Sequence, residues 1–307
     1  MNRAKSSFLS AMLIFGTVGI FVRLIPLSSA AVAFFRGVMG VVFLLLVMTL
    51  AKKRPQMQSI RENLWVLLLS GAAIGGNWVL LFESYRYTTI ATATICYYLA
   101  PVFVVLASPL LGEWLTGKKL ILPGIALLGM VFVSGVLQGG ISGGRGIILA
   151  SGAAMLYASV MLLNRKLKSI SAYDKTVIQL GVAAAVVLPY ALLTGGFDMS
   201  AMTVAGFVPL LIVGIVHTGF AYWLYFGALG QLPSQTGALF SYLDPVIAII
   251  LSALLLREPL GWQGIVGAVL ILGSALYSEL PEQKKRKRVD FSNTVGYNSK
   301  AACEMLL

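Results

Sequence analysis

The sequence predicts an all-α integral membrane protein with ten transmembrane helices, arranged as an inverted repeat of five plus five. Three observations predict this class: an apolar composition, a series of long apolar segments and a similarity between the two halves of the chain. Of the 307 residues, 58% are hydrophobic and only 11% are charged, and the mean hydropathy is +0.89. A soluble domain carries about 25% charged residues. The composition therefore argues against a soluble globular protein, a disordered protein and a nucleic-acid-binding module.

Ten segments are long and apolar enough to be transmembrane helices, which need about 20 mostly apolar residues to cross the hydrocarbon core. The first segment follows Arg3 and Lys5, a pattern that also begins signal peptides. Because it lacks an obvious cleavage site and nine segments follow, we expect it to be retained as a helix. The ten predicted spans are residues 7–26, 29–50, 63–84, 89–110, 119–138, 146–163, 175–194, 204–228, 235–256 and 261–280.

The basic residues indicate the orientation of these spans. With the N-terminus in the cytoplasm, 18 of the 23 Lys and Arg residues fall on the cytoplasmic side and four fall outside. The positive-inside rule predicts this bias for an even number of helices. We therefore expect a multi-pass protein of a bacterial plasma (inner) membrane, with both termini in the cytoplasm.

The chain is expected to divide into two halves and a tail. Residues 1–138 hold the first five predicted helices, residues 139–280 hold the second five, and residues 281–307 form a cytoplasmic tail. The tail begins with the basic run KKRKR at 284–288, which beside a membrane is explained as a topology anchor that also attracts anionic headgroups. The polar remainder is predicted to be disordered.

An internal similarity supports the division into halves. At an offset of 144, residues 73–111 and 217–255 share eleven identities in thirty-nine positions, including the pattern Tyr-Leu-x-Pro-Val that begins at Tyr98 and at Tyr242. Because each half has an odd number of spans, the two halves are expected to have opposite orientations in the membrane. Inverted repeats of this kind are typical of secondary transporters, which bind substrate near the midplane between the repeats.

The ten-helix layout resembles the drug/metabolite transporter superfamily, and within it the EamA-like families of 5+5 helices. Three stretches carry this resemblance: AAVAFFRGVMG around Arg36, TTIATATICYYLAPVFVVLASPLLGE at 88–113, and residues 234–273. The chain departs from the usual family pattern at Glu83 and Arg86, where small and apolar residues are common. The resemblance implies a secondary transporter that moves a small metabolite by alternating access. An exporter of amino acid-like molecules is the first expectation; a multidrug or organic-cation exporter and a channel-like facilitator are the alternatives.

Two prolines and a group of aromatic residues are candidates for the substrate cavity. Pro101 and Pro245 occupy equivalent places in spans four and nine, where each removes a backbone hydrogen bond and kinks the helix. The kinks either allow gating or serve static packing. Deep tyrosines need partners for their hydroxyls, which a cavity supplies, although packing between helices is the alternative for the aromatic rings. The predicted cavity residues are Asn77, Trp78, Thr94, Tyr98, Tyr222, Tyr242 and Asp244.

The ionisable residues inside the spans have two interpretations each. Asp244 lies near the midplane of span nine, where it either binds a proton or a substrate ammonium group, or fills a structural role. His217 in span eight either joins Asp244 in proton coupling or is a neutral hydrogen-bonding residue. Arg36 and Glu83 lie at similar depths and are predicted to form an outer ion pair, either structural or part of a gate. Asn77 either binds substrate or joins two helices.

Other functional classes lack their motifs. The chain has no GxxxxGK[ST] loop for ATP, and its single histidine and two cysteines argue against a metal site or an intramembrane enzyme. We therefore expect no cofactor, no metal and no catalytic residues. The expected partners are a small-molecule substrate and the lipid bilayer, without nucleic acid, and the expected state is a monomer, with a homodimer as the alternative.

Overall fold

The computed structural model describes residues 3–22, 24–88, 90–114, 116–133, 137, 143–255 and 261–278. These residues form helices and the turns that connect them. The helices in chain order are α1 Arg3–Val22, α2 Ser29–Leu50, α3 Met57–Ser84, α4 Ile90–Tyr97, α5 Ala100–Ala107, α6 Gly117–Val133, α7 Gly144–Lys166, α8 Ala172–Leu193, α9 Val204–Ile212, α10 Ala221–Leu229, α11 Ser234–Phe240, α12 Leu243–Leu255 and α13 Trp262–Ser278.

Seven helical stretches in the described residues are long and apolar enough to span a membrane. Two of these stretches join shorter elements. Thr92–Leu111 joins α4 from its third residue, α5 and a 3₁₀ turn, and Val204–Leu229 joins α9, the π-helical segment Val213–Phe220 and α10. The predicted spans at 119–138, 235–256 and 261–280 overlap with α6, with α11 and α12, and with α13, which are shorter helices, and the far ends of all three spans lie outside the described residues. The all-helical class is confirmed, and the count of ten spans stays a prediction.

The polar residues between the apolar segments define where the helices begin. Ser28 accepts a hydrogen bond from the backbone N–H of Ala31 and caps α2. Ser171 caps α8, and Thr203 caps α9 in the same way. Each side-chain oxygen satisfies one of the backbone donors that the first turn of a helix leaves unpaired.

Helix α3 lies at the centre of the packing, against α7 and α8. Gly71 and Gly75 make the close approach to α8 possible. A Cβ atom on Gly71 would lie 2.7 Å from the Cβ of Val182, and one on Gly75 would lie 2.7 Å from the carbonyl oxygen of Ala183. This small-residue stripe is the usual way for transmembrane helices to bring their backbones together.

The other close pairs connect the first and last parts of the chain. Helix α1 packs on α10 and α12, α2 packs on α8 and the π-helical segment, and α6 packs on α13. Helix α1 passes α12 at Gly16, where an added Cβ would lie 2.5 Å from the Cγ2 of Ile247. The core between these helices is therefore built from segments distant in sequence.

Two apolar stretches are broken into half-helices. Helix α4 ends at Tyr97 and α5 begins at Ala100, while α11 ends at Phe240 and α12 begins at Leu243. Pro101 and Pro245 lie in the first turn of α5 and α12, where a missing N–H costs no helical hydrogen bond. The two prolines predicted to kink spans four and nine therefore lie just after two-residue turns, at 98–99 and 241–242, and we call these turns the helix breaks.

The segment Val213–Phe220 was not predicted. Its backbone is π-helical, and the Oγ1 of Thr218 donates to the carbonyl of Val213 at 2.8 Å. Gly214 packs closely on Met39, because an added Cβ would lie 2.6 Å from the methionine Cβ. Short π-helical insertions are frequent at functional sites.

Candidate functional site

A narrow cavity lies between α3, the end of α4, α7 and α10. Its volume is about 20 Å³, which is room for about one water molecule. A metabolite of any size would therefore have to separate these helices in order to bind. The lining residues are Ile74, Asn77, Trp78, Tyr97, Tyr157, Val160, Tyr222, Tyr225 and Phe226.

Three of the seven predicted cavity residues line this space. Asn77 and Trp78 come from the buried face of α3, and Tyr222 comes from the first turn of α10. Asn77 also donates to the carbonyl oxygen of Ala153 at 2.7 Å, so it joins α3 to α7 while it faces the cavity. Thr94 is placed differently, beside the hydroxyl of Tyr85.

Asp244 and two tyrosines form a cluster that bridges the two helix breaks. The hydroxyl of Tyr98 donates to the Oδ1 of Asp244 at 2.5 Å, and the hydroxyl of Tyr242 donates to the backbone carbonyl of Tyr98 at 2.8 Å. The two tyrosine rings are stacked, with centroids 5.8 Å apart. Each tyrosine therefore bonds to the apolar stretch that carries the other one.

A row of tyrosines connects this cluster to the cavity. Tyr97 contacts Tyr98, with centroids 5.8 Å apart, and stacks on Tyr157 at 5.6 Å. The hydroxyls of Tyr157 and Tyr225 lie 3.1 Å apart. The predicted residues Tyr98, Tyr242 and Asp244 thus belong to the same aromatic interior as the cavity, although they do not line it.

Tyr157 was missed by the sequence analysis. It lies in the middle part of α7, many residues from either end of that helix. The criterion used for Tyr98, a tyrosine many residues from both ends of an apolar helix, would have identified it. It was overlooked because α7 contributes neither to the identities between the halves nor to the stretches that resemble a family.

Arg36 is partnered differently from the prediction. Its Nη2 donates to the hydroxyl of Tyr222 at 3.3 Å, and its Cζ lies 4.5 Å from the centre of the Trp78 ring. Glu83 instead forms an ion pair with Arg86 at 3.2 Å and accepts a hydrogen bond from Tyr190 at 2.8 Å. The predicted Arg36–Glu83 pair is therefore wrong, because both residues are engaged elsewhere.

His217 and Asp244 do not share a hydrogen bond. The Nε2 of His217 lies 2.7 Å from the Oγ1 of Thr17 on α1, and its Nδ1 lies 3.3 Å from the carbonyl of Ile212. These contacts engage both ring nitrogens with α1 and α9. The structure thus shows no direct bond between the two residues that were predicted to act together in proton coupling.

A cluster of polar side chains joins three elements at the end of the bundle that the charge pattern predicts to be cytoplasmic. Arg165, at the end of α7, forms an ion pair with Glu113 and donates to the hydroxyl of Ser234. Glu113 also accepts from the backbone N–H of Ser234, at 3.2 Å, at the start of α11. Lys119 of α6 lies 4.0 Å from the second carboxylate oxygen of Glu113. We call Glu113, Lys119, Arg165 and Ser234 the inner ion cluster.

Metal binding has no support within the described part of the chain. No group of three or more His, Cys, Asp and Glu residues there is placed to hold a metal ion. What the site offers is an aromatic interior with a carboxyl group, a guanidinium group and several tyrosine hydroxyls, which suits non-covalent binding of an amphipathic molecule.

Comparison with known proteins gives consistent matches. Residues 4–135 and 144–278 match the EamA-like transporter family. A protein from Bacillus subtilis (strain 168) named "Uncharacterized transporter YxxF" is 29% identical over 249 residues, which is 78% of each chain. "Protein PecM" from Dickeya dadantii (strain 3937) is 28% identical over 244 residues, which is 76% of this chain and 80% of that protein.

The fold is also found in a solved structure. A crystal structure of another protein superposes with a TM-score of 0.78, covering 90% of this chain and 96% of the other, at 19% sequence identity. At this identity the likeness concerns the fold alone.

Proposed function

Since this chain belongs to the EamA-like transporter family, we propose that it is a secondary transporter that moves a small amphipathic metabolite across the membrane by alternating access, without ATP. The observation that carries the proposal is the closed aromatic cavity beside the two broken helices. A cavity of about 20 Å³ holds no metabolite, so the site must open and close during a transport cycle. Helix breaks near the centre of a membrane bundle are typical substrate and coupling sites in such transporters.

The pairing of the helices supports an inverted repeat. Helix α3 packs on α7 and α8, and the corresponding elements of the second half, α10 and the π-helical segment, pack on α1 and α2. The pair α6 and α13 and the pair α2 and α8 each link corresponding elements of the two halves. Exchanging the two halves would leave this pairing unchanged. Such an exchange is the physical basis for converting an outward-open cavity into an inward-open one.

The halves are proposed to divide near residue 138, because the first stretch that matches the family ends at residue 135 and the second begins at residue 144. On the evidence of the charge bias, both termini lie in the cytoplasm and the membrane is the plasma membrane.

The substrate is proposed to be an amino acid-like molecule, and the direction export. The cavity supplies aromatic faces for an apolar part, and the residues around it supply one carboxyl group at Asp244 and one guanidinium group at Arg36 for polar ends. In this proposal Asp244 binds a proton and the substrate ammonium group in turn. The hydroxyl of Tyr98 holds the carboxyl group while neither is bound.

Counterflow in proteoliposomes tests the function. Purified protein is reconstituted with unlabelled amino acids inside at about 5 mM, which is above the highest usual KM values of ~1 mM. Each labelled amino acid is then supplied outside at trace concentration, without nucleotide. We expect at least one labelled amino acid to accumulate transiently and the initial rate to saturate. Linear uptake equal to that of empty liposomes, or unitary electrical currents, would contradict the proposal.

A further inference from the structure

Arg36 lies deep in a membrane helix and has no acidic partner among the residues that the structure describes. It is the eighth residue of α2, so its Cα is about 10 Å along the helix from the first residue. A charged residue at this depth is costly and normally faces a cavity or pairs with an opposite charge. No carboxylate in the described part of the chain forms an ion pair with it: Glu83 is held by Arg86 and Tyr190, and Asp244 by Tyr98.

The hydrogen bonding of the guanidinium group is incomplete. The group carries five N–H donors. One bond is observed, from Nη2 to the neutral hydroxyl of Tyr222, while the Nε atom is buried and has no partner among the described residues. Buried polar groups are almost always paired, and an unpaired one needs an explanation.

Two aromatic residues fix the position of this group beside the cavity. Its Cζ lies 4.5 Å from the centre of the Trp78 ring and 6.0 Å from that of Tyr222. Both residues also line the cavity. A guanidinium group stacked on an aromatic face uses its flat side for that contact, and its N–H donors, which lie in the plane, remain available.

From these contacts we infer that Arg36 is the binding site for the carboxylate of the transported molecule. The inference rests on the proposed transport function and deepens it, because it identifies the chemical group that every good substrate must carry. The guanidinium fork matches a carboxylate in a bidentate geometry and one negative charge balances it. A phosphoryl dianion would bring an excess negative charge to Arg36, because none of the residues that line the neighbouring cavity is basic.

The inference also separates the alternative substrates. An organic cation would gain nothing from Arg36 and would be repelled by it. A molecule with both an ammonium and a carboxylate group would satisfy Asp244 and Arg36 together. Substrates lacking the carboxylate are therefore expected to bind weakly even when their apolar parts are identical.

The experiment uses matched ligands with full-length protein. The ligands are L-phenylalanine and L-phenylalaninamide, phenylacetate and phenylacetamide, with phenylphosphonate as the phosphoryl analogue. Thermal stabilisation is titrated for each, since a ligand that binds the folded state raises the melting temperature according to its concentration and Kd. We expect the carboxylates to bind the wild type more tightly than their amides by about 10- to 100-fold, as for a lost charge-assisted hydrogen bond.

Three variants locate the effect. Arg36→Gln is expected to remove the preference for carboxylate over amide, and Arg36→Lys, which keeps the charge without the fork, to retain part of it. Arg86→Gln is the control, because that arginine is exposed and bonded to Glu83, and the preference should remain. The melting temperature without ligand shows whether each variant is folded.

The possible outcomes separate the two proposals. A wild type that binds no carboxylate more tightly than its amide, or that prefers phenylphosphonate, overturns the assignment, as does a preference that persists in Arg36→Gln. Saturable counterflow without any carboxylate preference would leave transport standing and remove the role of Arg36. Arg36-dependent binding without counterflow would leave the carboxylate site standing and remove the proposed transport function.

Discussion

At the scale of single residues, three side chains hold the two helix breaks together. Tyr98 bonds to Asp244, which precedes Pro245, and Tyr242 bonds to the carbonyl of Tyr98, just before Pro101. Tyr98 and Tyr242 are equivalent positions in the two halves. The position that corresponds to Asp244 in the first half is Ala100, so the cluster contains a single carboxyl group. A proton or an ammonium group bound to that carboxyl group would compete with the hydroxyl of Tyr98.

The sequence identified Asp244, Tyr98 and Tyr242 because polar residues deep in apolar spans are costly and need partners. It could not identify those partners. Arg36 and Glu83 lie at matching depths, yet the sequence contains no information on rotation about the helix axes, which directs Arg36 to Tyr222 and Glu83 to Arg86. For the same reason His217 was predicted to act with Asp244, whereas its neighbour is Thr17.

Replacing Asp244 with Asn tests its role in coupling. The amide still accepts a hydrogen bond from Tyr98 but cannot gain or lose a proton or pair with an ammonium group, so counterflow should persist at a lower rate that no longer depends on pH. Among the described residues, the titratable groups around Asp244 include the tyrosines Tyr97, Tyr98, Tyr157, Tyr225 and Tyr242.

The measurement is the initial counterflow rate at a series of external pH values. His217→Gln is the control, because His217 bonds to Thr17 and Ile212 and should leave the pH dependence intact. A pH profile that survives in Asp244→Asn, or that disappears in His217→Gln alone, would contradict the assignment.

At the scale of helices, small residues and prolines decide where elements approach and where they break. The sequence placed Pro101 and Pro245 in spans four and nine, and the structure puts a break beside each. The π-helical segment Val213–Phe220 could not be predicted, because it depends on the bond from Thr218 to Val213 and on the packing of Gly214 against Met39. The packing on Met39 is a tertiary contact, and the local sequence by itself is compatible with an ordinary α-helix.

Gly71→Ala is expected to destabilise the protein. The added methyl group would lie 2.7 Å from the Cβ of Val182 and 2.9 Å from the carbonyl oxygen of Gln179, so α3 and α8 would have to move apart. Overpacking of this kind costs about 1–3 kcal/mol. The melting temperature of the purified protein should fall accordingly.

Gly181→Ala is the matched control on α8. An added Cβ there would have its nearest neighbour, the Cγ2 of Val41, at 4.0 Å. Alanine is also a better helix former than glycine, by about 1 kcal/mol, so the melting temperature should stay the same or rise. Equal losses in both variants would argue against the close approach at Gly71.

At the scale of the whole molecule, the proposed inverted repeat requires a set of helix pairs that is unchanged when the two halves are exchanged, and the observed pairs α6–α13 and α2–α8 agree with it. The sequence predicted this arrangement from eleven identities and from the distribution of basic residues. It could not predict that the central cavity is closed or that the inner ion cluster joins α7 and α11, because Glu113, Arg165 and Ser234 are far apart in sequence. Glu258, the residue related to Glu113, lies outside the described residues.

The proposed mechanism gives the inner ion cluster a role in this arrangement. By joining the end of α7 to the start of α11, it keeps the cavity closed toward the end of the bundle predicted to be cytoplasmic. Breaking it should favour opening on that side, and alternating access then requires the other side to close. A channel would have no such requirement.

Sided labelling of a cysteine in the cavity tests alternating access most directly. Val160 is buried, lines the cavity and belongs to α7, so Val160→Cys is introduced into a Cys96→Ala, Cys303→Ala background. A membrane-impermeant maleimide is applied from either side. The variant Glu113→Gln breaks the inner ion cluster. Glu62→Gln is the control, because among the contacts described Glu62 bonds only to Gln58, on the exposed surface of α3. We expect Glu113→Gln to raise the labelling rate several-fold from the cytoplasmic side and to lower it from outside, with Glu62→Gln unchanged. Labelling that rises from both sides together would contradict alternating access.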